Sequence, residues 1–426
     1  MIAVLFLGTL LGAILVGMPI AFALLACATV LMWQMDMFDA QLIAQNAING
    51  VDNFVLLAAP FFMLAGEFMN AGGLSRRIVA MALALFGHIR GGLGYVAVFA
   101  AIIMASLSGS ALADTTALGA LLLPMMAAAG YNLNRSAGLI ACGGIIAPIV
   151  PPSIPFVIFG VASGVSITRL FLAGIVPGIL WGIAIILAWA WVTRKDKLEP
   201  SPRASRAEVV KAFTEGIWAL ILPVIIIVGL KMGVFTPTEA AVVAAVYALF
   251  VGMVVYREIK PKDLFGLFLS AAKATASVMF LVGGAMAAAW LITVADLPGQ
   301  LVEMLGPVMG NKTLFMVTVV AICLVIGTSM DMTPTILILA PVLMPLVKQA
   351  HIDPVYFGVI FVMVNAMGLI TPPVGTSLTA VCGVGRLKIG GVSAAMLPFL
   401  LAEVAVVVLL VLFPDIVIVP ARFFAR

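Results

Sequence analysis

The chain has 426 residues, of which 64% are hydrophobic and only 9% are charged. Soluble domains are about 45–50% apolar and about 25% charged, so this composition excludes a soluble protein. A helix needs about 20 apolar residues to cross a bilayer, and the chain has room for roughly ten crossings. Long apolar runs, such as residues 220–230, do not alternate with polar residues, which excludes a transmembrane β-barrel. The sequence therefore predicts an all-α polytopic membrane protein.

The cysteines, histidines and net charge exclude several other classes of function. The two histidines are too few for a histidine metal centre or catalytic triad. The net charge of +4 is explained by cytoplasmic loops, so we expect no nucleic-acid partner. The cysteines lie far apart in apolar runs and form no CxxC pair, so we expect buried single thiols. They are Cys27, Cys142, Cys323 and Cys382.

The N-terminal third begins with an apolar run and continues into a basic, amphipathic segment. Residues 1–33 have no basic start and are too long for a cleaved signal peptide, so we expect them to be retained, either as one tilted helix or as two short ones. Residues 75–89 place Arg76 and Arg77 beside an apolar face, a pattern typical of an interfacial arm helix. Residues 260–273 are its expected counterpart in the second half. Topological anchoring of neighbouring spans is the alternative explanation of these charges.

Basic loops set the orientation of the predicted spans. Residues 194–211 contain six basic and three acidic side chains, which places this loop in the cytoplasm. Residues 93–129 begin beside Arg90 and end beside Arg135, so we expect a re-entrant hairpin that enters from the cytoplasm. Residues 314–346 begin outside and have a polar midpoint, so they predict a second hairpin from the opposite face. The remaining spans are expected at 137–163, 170–192, 213–234, 239–255, 264–298, 355–384 and 394–413. Residues 421–426, with two arginines, would then lie outside.

The two hairpins belong to an internal repeat of inverted topology. An offset of 217 places Asp114 on Asp331 and Pro124 on Pro341, and an offset of 224 places Pro148 on Pro372. Inverted repeats are typical of secondary transporters, whose site lies at the midplane between interrupted helices. The sequence predicts five parts. These are N-terminal scaffold helices with the first arm (1–90), a first transport repeat (91–168), scaffold helices with the cytoplasmic loop and the second arm (169–298), a second transport repeat (299–390), and a C-terminal helix (391–426).

Each repeat also contains an interrupted helix with clustered proline, glycine and hydroxyl residues. Proline removes a backbone donor and releases carbonyl groups, and glycine allows the chain to turn. Released carbonyls and Ser/Thr hydroxyls suit a hard cation such as Na⁺, and half-helix N-termini favour an anion. The structural alternative is that these residues only permit kinks and close packing. We expect two or more Na⁺ sites, no nucleotide and no organic cofactor.

Four acidic residues lie in or near apolar runs, where an ionisable group usually has a function. Asp114 and Asp331 adjoin the hairpin tips, where they could attract cations or cap a helix. Glu67 and Glu403 lie near predicted interfaces, where structural pairing is as good an explanation. We expect gating or electrostatic roles for Asp114, Asp331 and Glu67.

Five sequence segments together resemble the large membrane subunit of tripartite ATP-independent periplasmic (TRAP) transporters. They are FFMLAGE at 61–67, SLSGSALADTT at 106–116, GGIIAPIVPPS at 143–153, FTPTEA at 235–240 and GLITPPVG at 368–375. The resemblance covers nearly the whole chain and is greatest to the branch associated with sugar-acid uptake, such as diketogulonate. It implies a multi-pass protein of the bacterial inner membrane with the elevator-type fold of the ion transporter superfamily. It also implies Na⁺-coupled uptake of an organic acid, a small membrane subunit and a periplasmic substrate-binding protein.

The hypothesis for the site assigns residues to two ions and one substrate. One Na⁺ is expected at Ser106, Ser108 and Ser110 with backbone oxygens near Ala147 and Pro148. The second is expected at Gly327 and Thr328, with Thr371, Pro372 and Gly375 opposite. The substrate carboxylate is expected between them, near Ser153, Ser329, Thr376 and Ser377.

Two other functions remain open from the sequence. One is a dicarboxylate- or gluconate-type anion symporter that works without a binding protein. The other is an intramembrane enzyme that uses Asp114 and Asp331 as a carboxylate pair, because equivalent residues of inverted repeats could meet at the midplane. The sequence contains no further residues typical of catalysis.

Overall fold

The protein is α-helical throughout the part of the chain that the structure describes. The structure is a computed structural model that describes residues 2–198, 200, 202–296, 299–300 and 309–424. Residues 301–308 of the predicted second repeat, and 425–426 of the C-terminal segment, lie outside these ranges. The helices of the first half are α1 (Ile2–Leu15), α2 (Ile20–Gln34), α3 (Ala40–Val51), α4 (Ala58–Ala71), α5 (Leu74–Phe86), α6 (Gly92–Ser108), α7 (Ala111–Ala128), α8 (Leu133–Gly144), α9 (Ile154–Ser163) and α10 (Ile167–Thr193).

The second half continues the same pattern of long spans and short half-helices. Its helices are α11 (Arg206–Lys231), α12 (Pro237–Phe250), α13 (Leu264–Val294), α14 (Lys312–Gly327), α15 (Met332–Gln349), α16 (Pro354–Gly368), α17 (Thr376–Gly385), α18 (Ile389–Leu412) and α19 (Asp415–Phe424). Among the described residues, eight helical segments are long and apolar enough to cross a membrane. The chain is therefore a multi-pass membrane protein. We call the side of the basic residues after α10 and before α13 the inner side.

Both repeats contain the predicted hairpin and the predicted interrupted helix. The first hairpin is α6–α7 and the second is α14–α15, while α8–α9 and α16–α17 are helices broken at residues 145–153 and 369–375. Each break contains a cis Pro–Pro peptide, at Pro151-Pro152 and Pro372-Pro373. We call the residues between the hairpin helices tip 1 (109–110) and tip 2 (328–331), and the interruptions break 1 and break 2.

The two repeats pack against each other in a reciprocal way. Helix α9 of the first repeat packs against α15 of the second hairpin, and α17 of the second repeat packs against α7 of the first hairpin. The first exchange lies in the outer half and the second in the inner half, because α9 ends outside and α17 ends inside. This exchange is the arrangement expected of repeats with inverted topology.

Several boundaries differ from the sequence-based expectations. The N-terminal run forms two helices, α1 and α2, with Gly17 at φ +86° between them. The cytoplasmic loop is shorter than predicted, because Ser205 and Glu208 form a capping box that starts α11 within residues 194–211. The segment predicted as the first arm is the helix α5. The segment predicted as the second arm, 260–273, leads without a break into the 31-residue α13, which matches the long span predicted from residue 264.

Candidate functional site

Tip 1 is closed by two serines and one aspartate. Helix α6 ends at Ser108, Gly109 turns the chain at φ +61°, and the Ser110 side chain caps α7. The Ser108 hydroxyl donates to Asp114 Oδ1 at 2.6 Å and accepts from the Ser110 backbone NH at 3.1 Å. Asp114 is buried, and its Oδ2 has no hydrogen-bond partner among the described residues. One carboxylate oxygen at tip 1 is therefore free for another partner.

Tip 1 lies directly against break 1. A Cβ on Gly109 would stand 2.7 Å from the carbonyl oxygen of Pro152 and 3.3 Å from the Cα of Ser153. Only glycine allows this approach, because any side chain there would overlap the backbone of break 1. The contact brings Ser108, Ser110 and Asp114 next to the N-terminus of α9.

Break 1 is fully buried, and Ser153 has a local role in it. The Ser153 side chain accepts from the Phe156 NH at 3.2 Å, which caps α9, and it donates to the carbonyl of Pro148. Ala147 and Pro148 are buried beside it. Ser106 is buried too, but its hydroxyl donates back to the Ile103 carbonyl at 2.6 Å. Ser106 and Pro148 therefore already have partners within their own segments. The same holds for Ser108, which bonds Asp114, and for the Ser110 hydroxyl, which accepts from the Ala113 NH.

Tip 2 and break 2 are held together by one backbone hydrogen bond and by the glycines that directly precede them, Gly327 and Gly368. A Cβ on Gly368 would lie 2.5 Å from the carbonyl carbon of Gly327, so α14 and α16 meet at backbone distance. The Val374 NH donates to the Thr328 carbonyl at 3.4 Å. The structure thus joins Gly327 and Thr328 to the segment that contains Thr371, Pro372 and Gly375, as the sequence predicts for one site.

The hydroxyl groups at and beside break 2 differ in whether they form hydrogen bonds. Thr328 donates to Val325 O and Thr371 donates to Met367 O, each at 2.7 Å within its own helical turn. Gly375 has φ +45°, and the following Ser377 NH donates to Leu369 O at 2.9 Å. The Ser377 hydroxyl is buried and has no hydrogen-bond partner among the described residues. It is a free oxygen at the start of α17.

Asn365 lies at the contact between α14 and α16 beside tip 2, although it was not among the residues predicted from the sequence. It is 1% exposed, and its Nδ2 donates to Phe361 O at 2.7 Å. Its Oδ1 has no partner in the described chain and lies 3.7 Å from the position of a Cβ on Gly327. A buried amide oxygen without a partner is costly, so it requires an explanation. The sequence feature that could have identified Asn365 is that it is the single amide in an otherwise apolar stretch of α16, residues 355–367.

The four residues expected to hold the substrate lie in unlike environments. Ser329 is exposed and Thr376 is half-buried, so both are accessible from tip 2 and break 2. Ser153 and Ser377 are completely buried. Ser153 is committed to capping α9, so it can act on a substrate only after its local hydrogen bonds change.

The remaining acidic candidates are dispersed. Asp331 is exposed at the N-cap of α15, whereas Asp114 is buried against Ser108. No hydrogen bond links these two aspartates within the described residues. Glu67 accepts from the Ser270 hydroxyl at 2.8 Å, which ties α4 to α13. Glu403 lies in the middle of α18 and is completely buried, rather than near an interface as expected.

The donor set of the site suits a hard monovalent cation. Among the described residues, no group of three or more His, Cys, Asp or Glu side chains could hold a metal ion. The atoms near tip 1 and tip 2 are hydroxyl, amide, carboxylate and backbone carbonyl oxygens, which suit Na⁺ better than a transition metal. The residues present therefore fit Na⁺.

Comparisons with known proteins agree with this architecture. The family model "Tripartite ATP-independent periplasmic transporter, DctM component" matches residues 7–416. The 2,3-diketo-L-gulonate TRAP transporter large permease protein YiaN of Escherichia coli K12 is 53% identical over 99% of this chain and 100% of its own length. The sialic acid TRAP transporter large permease SiaM of Vibrio cholerae is 37% identical and covers 97% of both chains.

A more distant permease and a solved structure extend the comparison. The C4-dicarboxylate TRAP transporter large permease DctM of Pseudomonas aeruginosa is 35% identical over 91% of this chain and 90% of its own. The crystal structure of the Alcanivorax borkumensis YdaH transporter, at 16% identity, shares the fold with a TM-score of 0.64 over 88% of this chain and 89% of that one. The relatives are named as transporter permeases rather than enzymes. The chain belongs to the DctM family, the large permease component of tripartite ATP-independent periplasmic transporters.

Proposed function

We propose that this chain moves a small organic acid across the bacterial inner membrane, driven by a Na⁺ gradient. The observation that carries the proposal is that each hairpin tip contacts the helix break of its own repeat. Gly109 provides this contact in the first repeat, and the Gly327–Gly368 pair provides it in the second. Buried oxygens without partners lie at both contacts, which suits bound cations.

The first proposed Na⁺ site lies at tip 1. Ser108, Ser110 and Asp114 supply hydroxyl and carboxylate oxygens there, and break 1 supplies the Pro152 carbonyl. Because the Asp114 carboxylate is buried, a cation beside it would neutralise a charge that is otherwise expensive to keep in the membrane. Na⁺ binding would therefore stabilise the closed contact between tip and break.

The second proposed Na⁺ site lies between tip 2 and break 2. Asn365 Oδ1 faces Gly327, and the Thr328 carbonyl lies at the same contact. The Thr371 and Ser377 side chains are on the neighbouring turns of break 2. This site differs from the sequence hypothesis by the addition of Asn365 and of Ser377, which the sequence hypothesis assigned to the substrate.

The substrate is proposed to be a carboxylate, with a sugar acid as the favoured class. Three relatives are named for 2,3-diketo-L-gulonate, sialic acid and C4-dicarboxylates, and each of these compounds contains a carboxylate. The relative named for 2,3-diketo-L-gulonate is 53% identical to this chain. Thr376 is the first residue of α17, where the helix dipole favours an anion, and the accessible Ser329 follows Thr328, whose carbonyl accepts from the Val374 NH just before that helix. Hydroxyl groups and a helix N-terminus can bind a carboxylate without a positively charged side chain.

The proposed motion is that of an elevator. The reciprocal packing of α9 on α15 and of α17 on α7 joins the two repeats into one body. Helices α2, α3 and α4 pack on α13, and α4 packs on α12, which gives a second group of helices. We propose that the first body slides against the second and carries the ions and substrate together.

The proposed complex has two further subunits. The transporters of this family are tripartite and periplasmic, which supports two partners for this chain. We propose a small membrane subunit that enlarges the second group of helices, and a periplasmic protein that delivers the substrate. A stand-alone anion symporter is the competing function, and it would need no delivery protein.

Reconstitution tests the proposed function. The chain and its small membrane partner are placed in proteoliposomes, and uptake of radiolabelled 2,3-diketo-L-gulonate, sialic acid and succinate is measured with and without a Na⁺ gradient and the binding protein. Uptake that requires both supports the proposal. Na⁺-dependent uptake without the binding protein would favour the stand-alone symporter, and uptake unaffected by Na⁺ would reject ion coupling.

A further inference from the structure

A cavity of about 320 Å³ lies between the two groups of helices, away from both tips. Four helices meet there, because α3 and α13 supply one wall and Ala162 of α9 and Pro341 of α15 supply the other. Its polar lining residues are Asn46, Asn49, Trp290 and Thr293. It lies in the outer half of the protein, because α9, α13 and α15 all end on the outer side. We call this cavity the outer vestibule.

The polar wall of the outer vestibule depends on unusually close packing of α3 and α13. A Cβ on Gly50 would stand 2.6 Å from Met286 Cγ, and one on Gly283 would stand 3.2 Å from the Ala47 carbonyl oxygen. Gly50 leaves room for the Met286 side chain, and Gly283 lets α13 approach the backbone of α3, as small residues do within membranes. Trp290 follows Met286 by one helical turn, so the same face that packs on Gly50 continues into the cavity.

The polar side chains of the outer vestibule keep hydrogen-bonding capacity. Asn46 uses its Nδ2 to bond Leu42 O at 2.8 Å, which leaves its carbonyl oxygen available. Thr293 donates to Ala289 O at 2.9 Å, so its oxygen can still accept. Asn49 is exposed, the Trp290 indole is half-buried, and neither side chain makes a hydrogen bond within the described chain. An amide both donates and accepts, which matches a hydroxyl group.

The described lining of this cavity contains no charged side chain. A carboxylate would therefore find no counter-charge there, whereas the hydroxyl groups of a substrate would find amides. The indole face can also contact the apolar C–H groups of a sugar chain, since Trp combines a large apolar ring with one polar NH. The chemistry favours the hydroxylated part of a sugar acid over a simple dicarboxylate.

The repeat provides an internal comparison for this cavity. Pro341 corresponds to Pro124 at the same offset of 217 that aligns the hairpins, and Pro124 lines a second cavity on the inner side with Val384, Gly385 and Leu387. The described lining of that inner cavity is entirely apolar. The polar groups of the outer vestibule therefore come from α3 and α13, and are not a by-product of the duplicated hairpins.

We propose that the outer vestibule is a recognition site for the hydroxyl groups of a sugar acid, occupied before the substrate reaches the breaks. The inference rests on the proposed uptake of an organic acid and adds the part of the substrate that is selected. Ala162 is nine residues beyond Ser153 along α9, which places the vestibule about 13 Å outward from break 1. A substrate arriving from outside would meet Asn46 and Asn49 before the carboxylate site.

Thiol protection tests this site directly. The variant Asn49→Cys is reconstituted as the full chain with its small membrane subunit, and its reaction with a membrane-impermeant maleimide is followed. The native cysteines Cys27, Cys142, Cys323 and Cys382 are all buried, so the background should be low. We expect 2,3-diketo-L-gulonate to slow labelling and succinate to leave it unchanged. The matched control is Gln45→Cys, an exposed position on the same helix that does not line the cavity.

A second variant links the vestibule to transport. Asn49→Leu should raise the half-saturating concentration of 2,3-diketo-L-gulonate about 3- to 10-fold, the effect of one lost hydrogen bond, and Gln45→Leu should not. Absence of protection, equal protection by succinate, or equal protection at Gln45→Cys would overturn the proposal. Protection of Asn49→Cys without Na⁺-dependent uptake would reject ion coupling and support the recognition site. Na⁺-dependent uptake without protection would reject the recognition site and leave ion coupling standing.

Discussion

Gly327 and Gly368 meet at backbone distance where tip 2 touches break 2. A Cβ on Gly368 would lie 2.5 Å from the carbonyl carbon and 2.7 Å from the Cα of Gly327. These neighbours are backbone atoms, so a rotamer change cannot relieve the overlap. The contact between the second hairpin and its broken helix therefore depends on glycine at position 368, whereas a Cβ on Gly327 would come no closer than 3.4 Å to the Cα of Gly368.

The first prediction concerns this glycine pair. Gly368→Ala should separate α14 from α16, destabilise the protein by about 1–3 kcal/mol through overpacking, and reduce Na⁺-dependent uptake. Thermal unfolding in detergent and uptake in proteoliposomes are the measurements. Gly383→Ala is the matched control, because a Cβ at Gly383 of α17 would meet nothing within 4 Å. Equal behaviour of the two variants would show that the close contact is dispensable.

The second prediction concerns Asn365 as a Na⁺ ligand. Asn365→Leu removes the amide oxygen that faces Gly327, so the Na⁺ concentration for half-maximal uptake should rise about tenfold or more, the cost of an ion losing one good ligand. Asn365→Asp keeps an oxygen at the same place and should retain a measurable Na⁺ response. If Asn365→Leu leaves the sodium dependence unchanged, Asn365 is not a ligand.

The third prediction concerns the proposed ion site at tip 1. Ser108→Ala removes the hydroxyl that donates to Asp114 Oδ1 at 2.6 Å, and it leaves the buried carboxylate with one partner fewer. Weaker Na⁺ activation is expected, with a loss of stability of about 1–3 kcal/mol. Ser393→Ala is the control, since the exposed Ser393 hydroxyl bonds only Ile389 O of its own helix. A sodium curve for Ser108→Ala that overlays the control curve would contradict the assignment.

The fourth prediction separates two residues of the proposed substrate site. Ser329→Ala should raise the half-saturating substrate concentration with little effect on stability, because Ser329 is exposed. Ser153→Ala should instead lower stability by about 0.5–2 kcal/mol, because Ser153 caps α9 through Phe156 NH. Uptake kinetics and thermal unfolding of both variants check this. If Ser153→Ala instead raised the half-saturating substrate concentration and Ser329→Ala did not, the substrate would bind at break 1.

The fifth prediction tests Thr328 and Thr371 from the sequence hypothesis. Their hydroxyls donate to Val325 O and Met367 O, which leaves the oxygen lone pairs able to bind a cation. Both threonines are half-buried whereas Asn365 is buried, so water can replace a lost threonine oxygen more easily. Thr328→Ala or Thr371→Ala should therefore raise the half-maximal Na⁺ concentration less than Asn365→Leu does. Sodium titrations of the three variants in one preparation give the order. A larger effect of either threonine would make the side-chain hydroxyl the principal ligand.

The sequence predicted the repeat well because its signals are local. Alignment of Asp114 with Asp331 and of Pro148 with Pro372 located both hairpins and both breaks. The basic residues Arg90 and Arg135, at the two ends of the first hairpin, predict the side from which it enters the membrane. The charges at 260–273 predict a second arm, and the structure places most of these residues at the start of the long helix α13. Charge patterns mark an interface but do not show where a helix bends.

Asn365 shows what the sequence could not provide at the site. A single amide in an apolar helix can face a neighbour, a lipid or a ligand, and only the packing of α16 against α14 places its oxygen beside Gly327. Ser153 shows the reverse case, because its residue type fits a ligand whereas the structure commits it to a helix cap. Side-chain partners across helices depend on long-range contacts that residue type and spacing do not encode.

The sequence by itself determined that this chain is a helical membrane protein with an inverted repeat, because apolar run length, proline clusters and basic loops act through local physics. The tertiary structure alone decided which buried oxygens remain free, and that α3 and α13 form a polar wall in the outer half. Those features arise where glycines such as Gly109 and Gly368 let distant segments reach backbone contact. The free energy of such contacts depends on both partners at once, so one segment read alone cannot reveal it.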